Sequence, residues 1–202
     1  MRIKLKTLLG VLGASAMLGA APAHAQASAE KPATAGAAAS VAISKGDQKI
    51  VTDMAQASMA GIETGKLAQT KSQNPQVKAF AQQMIDDHTK ALAEVQQLAA
   101  SKGVAMPAEV DKQHKAMTDK LAALSGDAFD KAYIAQGGVG EHKKMHAMLA
   151  SAGKKARDPD VKALAARIAP VIDQHLKAAQ QMASAKDGAK GDKPPAGTEA
   201  GK

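Results

Sequence analysis

An octapeptide recurs in this chain and constrains its fold more than any other feature. Asn74-Pro75-Gln76-Val77-Lys78-Ala79-Phe80-Ala81 reappears as Asp158-Pro159-Asp160-Val161-Lys162-Ala163-Leu164-Ala165. In each copy a residue that caps helical amides precedes a proline, whose fixed φ suits the first helical turn. Each copy also opens an apolar stripe at helical spacing. The first runs through Val77, Phe80, Ala81, Met84, Ile85, Leu92, Val95 and Leu98, the second through Val161, Leu164, Ile168, Ile172, Leu176 and Met182. Helical patterns also precede both copies, so each marks the bend of a hairpin. Two related hairpins make a four-helix bundle the economical architecture.

Composition agrees. Of 202 residues, 45% are hydrophobic and 1% aromatic, with ten Met and no Cys or Trp. Ala, Leu, Met, Gln and Lys favour helix, whereas strands draw on β-branched and aromatic residues. Without cysteine there is neither a disulfide framework nor a thiolate metal site. The predicted class is all-α.

Boundary signals place the elements. Ser44 with Asp47 resembles a capping box opening a helix to about Lys71, and Asn74-Pro75 opens a second that ends at Gly103. Pro107 is expected to start a shorter helix to about Leu124, interrupted by Ser125-Gly126-Asp127. At about 17 residues it would span about 25 Å, enough for a crossover between hairpins. A third long helix then runs to Gly153, and a fourth from Asp158-Pro159 fades near Ala185. The bundle domain is thus expected over 44–185.

The flanks read differently. Arg2, Lys4 and Lys6, the apolar run Leu8 to Ala21 and Ala23-His24-Ala25 form a signal-peptide pattern over 1–25. That run is short for a membrane span, no second one follows, and a lipid anchor would need a cysteine. The expected location is periplasmic. Removing three of 27 basic residues and none of 19 acidic ones lowers the net charge from +8 to +5. Residues 26–43 and 186–202 are too poor in large apolar groups to offset ordering entropy and are expected to be disordered. The basic C-terminal tail could touch an anionic envelope surface, although charge runs are more often simply solvated.

Polar residues interrupt the stripes near mid-helix. His88 lies between Met84 and Leu92, His175 between Ile168 and Met182, and His142 with His146 shares a face with Val139 and Leu149. Glu63 follows Met59 by one turn. Glu63 stands 12 residues before Pro75 and His88 13 after it, while His142 stands 17 before Pro159 and His175 16 after it. Antiparallel partners equidistant from a bend lie level, so one polar group per helix could meet at the centre. Such a set, Glu63, His88, His142 and His175, could hold a divalent transition metal such as Zn, Cu or Fe. Asp87, Glu141 and His146 stand by as alternative or supporting groups. The competing reading is a hydrogen-bonded structural network.

Other features carry less. Pro170 removes an amide five residues before His175, and Gly137, Gly138 and Gly140 weaken the turn before His142. His142, Met145, His146 and Met148 form a patch that could hold Cu(I), although the methionines also suit core packing. His114 sits among Lys and Gln and is expected to be exposed. Phe80, Phe129 and Tyr133 read as core anchors, with the tyrosine hydroxyl needing a partner if buried.

Catalytic signatures are missing: no nucleophile elbow, no phosphate-binding Gly loop and no His-Glu-x-x-His. This points away from an enzyme. Interleaved acidic and basic residues and an exported location point away from nucleic acid.

The spaced motifs Phe80-Ala-Gln-Gln-Met-Ile-Asp-Asp-His-Thr89, Gly103, Pro107, Phe129-Asp130-x-x-Tyr133, Glu141-His142-Lys143 and Pro170 to His175-Leu176 resemble the bacterial domain of unknown function numbered 4142. The resemblance covers about residues 45–184. It implies a ferritin-like bundle with a crossover and no established activity. The Glu-x-x-His pairs of ferritin-like di-iron sites are absent, since Ile85 and Ile172 stand three residues before His88 and His175. The expectation is therefore a non-enzymatic envelope or stress-related bundle protein. The alternative is a metal-binding protein or metalloenzyme with a His-rich site inside the bundle.

Overall fold

The computed structural model describes residues 42–188; the proposed signal peptide, nearly all of the 26–43 linker and the tail beyond 188 lie outside them. Six α-helices form among the described residues: α1 Lys45–Lys71, α2 Pro75–Lys102, α3 Lys112–Ala122, α4 Gly126–Ala132, α5 Glu141–Lys155 and α6 Pro159–Gly188. A π-helical segment, Tyr133–Gly140, joins α4 to α5 into one long helix. The result is a four-helix bundle: α1 packs on α2, α5 on α6, and α3 crosses between the hairpins. No strand occurs among the described residues.

The helix ends follow from their side chains. Ser44 Oγ accepts the Asp47 amide at 3.1 Å, and Asn74 Oδ1 accepts the Gln76 amide at 2.9 Å. Gly103 ends α2 with φ 65°, the left-handed value that glycine adopts without penalty. The bend between α5 and α6 is also clasped to distant elements. Asp47 accepts the amides of Arg157 and Asp158 at 3.0 and 3.2 Å, and Lys102 pairs with Asp158 at 2.8 Å.

The crossover differs from expectation. Helix α3 begins at Lys112, not at Pro107, because Asp111 caps it through the Gln113 and His114 amides at 2.9 Å each. The stretch before it is pinned by Gln56, which donates to Glu109 O at 3.0 Å and accepts from the Asp111 amide at 2.6 Å. Eleven residues of helix span about 16 Å. An irregular lead-in over residues 104–111 precedes it. Helix α6 persists to Gly188, past the expected fade near Ala185.

The core is divided. One apolar cluster includes Val51, Met54, Val95, Leu149, Leu164 and Ile172, and the other Phe80, Met84, Leu121, Phe129, Tyr133 and Ile134. Along α2, α5 and α6 the boundary between them falls at His88, His142 and His175. A buried polar layer therefore cuts the bundle at mid-height.

Candidate metal centre

His88, His142 and His175 are 2%, 3% and 1% exposed, and their rings pack against one another with centroids 5.2 to 5.6 Å apart. One ring nitrogen of each lies within 4.8 Å of the others. His88 Nε2 and His142 Nε2 are 3.4 Å apart.

Hydrogen bonding settles two tautomers. His142 Nδ1 lies 2.7 Å from Gly138 O and 3.2 Å from Gly137 O. Carbonyls only accept, so Nδ1 carries the proton and Nε2 presents a lone pair to the cluster. His175 Nε2–H donates to Asp87 Oδ2 at 3.0 Å, which leaves Nδ1 as its lone pair. That Nδ1 and His88 Nδ1 are buried with no hydrogen-bond partner. Burial pushes His88 down to about 3 and His142 down to about 4, with the neighbouring imidazoles adding to it. Burial lowers His175 as well, against the pull of Asp87. Burial thus favours the neutral rings at physiological pH, and the His175 Nδ1 lone pair has no donor.

Each helix contributes for a local reason. The π segment ends at Gly140, two residues before His142, and supplies both carbonyls that orient the ring, the usual setting for a π-bulge at a functional position. Helix α1 contributes a gap instead of a ligand. A Cβ added at Gly61 would lie 2.6 Å from His88 Cδ2, so glycine is what lets the ring fit. Asp87, at the cluster's edge, takes hydrogen bonds from His175 and Lys90; they outweigh the effect of burial and hold its carboxyl below the usual range.

The remaining candidates fall elsewhere. Glu63 is exposed on α1 and does not join the histidines, because two residues at 100° each turn it away from the face that Gly61 presents to α2. His146 is exposed and pairs with Asp173 at 2.5 Å. Glu141 turns to Lys144 at 2.7 Å and His114 at 3.2 Å. His114 is correspondingly not exposed as expected: it is half-buried between Asp111 and Glu141, and its pKa is raised, first by the hydrogen bond to Glu141. The expected His/Met patch divides too. Met145 is buried and lines a small cavity with His88 and His142, whereas His146 faces solvent. Pro170 is on the exposed side of α6.

With this geometry in hand, comparison with known proteins decides the family. The model of the family "Domain of unknown function (DUF4142)" matches residues 32–182. The chain belongs to the DUF4142 family. No curated protein matches it. Among solved structures, a DUF305 fragment from Deinococcus radiodurans is similar at TM-score 0.64 and 14% identity, over 71% of this chain and 99% of that one. CopM in its Cu(II)-bound form is similar at TM-score 0.59 and 20% identity, over 69% of this chain and 97% of that one. CopM in an Ag-bound form gives TM-score 0.56 and 21% identity, over 69% and 96%. At these identities the likeness is one of fold. No helix among the described residues is long and apolar enough to cross a membrane.

Proposed function

We propose that this DUF4142 protein binds a transition-metal ion inside the bundle through His88, His142 and His175, and that it serves as a non-enzymatic metal-binding protein of the bacterial envelope. The observation that carries the reading is the 3.4 Å separation of His88 Nε2 and His142 Nε2. Two nitrogens bonded to one ion at about 2.0–2.1 Å stand about 3.3–3.6 Å apart in trigonal or tetrahedral geometry. Two of the three rings already have that spacing, and His175 brings a ring nitrogen within 4.8 Å of both.

A purely structural network fits less well. Buried polar layers persist when their members are satisfied, and here two buried nitrogens are orphaned. A cation among the rings would take the His175 Nδ1 lone pair, which no donor in the protein reaches, while His88 bound through Nε2 would carry its proton on Nδ1.

Charge favours a monovalent ion. Three neutral imidazoles and an Asp87 carboxylate that Lys90 already approaches at 3.4 Å bring at most one negative charge, so Cu(I) or Ag(I) leaves less charge uncompensated than a divalent ion. In a low-dielectric interior an uncompensated charge costs several kcal/mol. The buried Met145 thioether beside His88 and His142 offers a soft contact of the same preference. The folds of CopM, solved with Cu(I), Cu(II) and Ag, support the same direction. The signal-peptide pattern over 1–25 supports export, and the cysteine-free sequence suits an oxidising compartment.

Thermal unfolding with and without metal tests the reading. Cu(I) should raise the midpoint of the mature chain, and His88→Ala should remove that rise while leaving a folded helical protein. An equal Cu(I) effect in both proteins would place the ion elsewhere.

A further inference from the structure

The three histidines are sealed, so an ion reaches them only where the bundle parts. The geometry points to the cleft between α2 and α6 as the port for that ion, with Asp87 at its rim as the first ligand to meet it. This inference rests on the metal-binding reading.

Two cavities touch the cluster. One, enclosed by α1, α2, the π segment and α5 under Met117 of the crossover, has a volume of about 20 Å³, little more than a single water's worth of space. The other, of about 130 Å³, lies between α2 and α6; His88 and His175 form its floor and Asp87, Lys90, Glu94 and Arg167 line it toward solvent. It follows the seam between the hairpins. The hairpin partners themselves pack closely, as Gly65 shows: a Cβ there would lie 2.9 Å from Ile85 Cγ1. The α2–α6 seam instead closes through side chains, with Glu94–Arg167 at 3.2 Å as the ion pair across its rim and Asp87–Lys90 at 3.4 Å lying within α2. Exposed pairs of this kind contribute little and exchange readily.

Asp87 links rim to floor. Its side chain is 26% exposed, and its Oδ2 holds His175. A cation arriving from solvent meets this carboxylate before any imidazole. The walls beyond it, Ala91, Ile168, Val171 and Ile172, are apolar. A strongly hydrated ion loses its water shell there without compensation, whereas a weakly hydrated monovalent ion passes at lower cost.

A plug in this cleft should change rates without changing affinity. Cu(I) release from the mature chain into excess chromophoric chelator, and uptake from a weak Cu(I) complex, would be timed under anaerobic conditions for wild type and Val171→Phe. Ala91→Phe serves as a second plug if the first unfolds. The port predicts that both rates fall by about tenfold or more while the equilibrium partition against the chelator stays within about twofold. Asp87→Asn should slow uptake. Unchanged rates in both plugs, or slowing by Ala57→Phe in the smaller cavity instead, would overturn the port while leaving the site intact. A wild-type chain that takes no Cu(I) would remove the site and the port together.

Discussion

His88 Nε2 faces His142 Nε2 across 3.4 Å in the middle of the bundle, and the carbonyl of Gly138 holds the second ring so that its lone pair points at the first. Two neutral imidazoles at this separation share a proton or a metal. Because His88 Nδ1 is buried without a partner whichever proton the ring carries, hydrogen bonding alone leaves the pair incomplete.

That incompleteness makes the metal-free protein less stable than its shape allows. His88→Leu removes an unsatisfied buried polar atom and replaces it with apolar volume, which should stabilise the metal-free chain by about 1–2 kcal/mol. The same change should abolish stabilisation by metal. Urea denaturation of both proteins, with and without Cu(I), measures the exchange. Loss of stability in the metal-free variant would mean that the histidines form a satisfied network.

Gly61 sets the room available to His88. Gly61→Ala places a methyl group 2.6 Å from the ring, so the ring or the α1–α2 packing must yield. Overpacking of this kind costs about 1–3 kcal/mol. Denaturation should show that loss, and metal affinity should fall with it, since the ring that moves is a ligand. An unchanged affinity would exclude His88 from the site.

The metal-free protein should weaken in mild acid. His88 is held at about 3 and His142 at about 4 from an ordinary value of 6.5. Below about pH 6.5 the unfolded chain takes up protons that the folded chain refuses, so stability is fully present above that pH and is lost as pH falls toward 4. His114 acts oppositely: its raised pKa contributes stability that disappears as pH rises through it. Denaturation midpoints at about pH 7.5 and about pH 5 in a His114→Gln background isolate the cluster. A higher midpoint at the lower pH would contradict the burial of neutral rings.

Tyr133 offers a control away from the histidines. Its ring stacks on Phe129 at 6.0 Å, but its hydroxyl is buried with no hydrogen-bond partner and burial raises its pKa well above the usual tyrosine value. Tyr133→Phe should stabilise the chain by about 1 kcal/mol and leave metal binding unchanged.

Much of this was legible in the sequence because it depends on local patterns. The paired Asn74-Pro75 and Asp158-Pro159 motifs, the apolar stripes and Gly103 state the hairpins directly, and His88, His142 and His175 break three of those stripes at compatible heights. Glu63 misled because distance from a bend gives height but not facing. A shift of two residues turned the choice from Gly61, which faces His88, to a carboxylate in solvent. The π segment over Tyr133–Gly140 was visible only as a crowding of glycines, since single-residue helical slippage leaves no periodic mark. Asp111 as the start of α3 was hidden by the stronger signal of Pro107. Half-burial of His114 depended on Glu141 arriving from another element.

The central claim is tested most directly by metal analysis of the mature protein, purified without a histidine tag, beside a His88→Ala, His142→Ala, His175→Ala variant shown by circular dichroism to be folded. The account predicts about one Cu per chain in the wild type and none in the variant. Wild-type protein that is free of metal and takes up neither Cu(I) nor Zn(II) would contradict it.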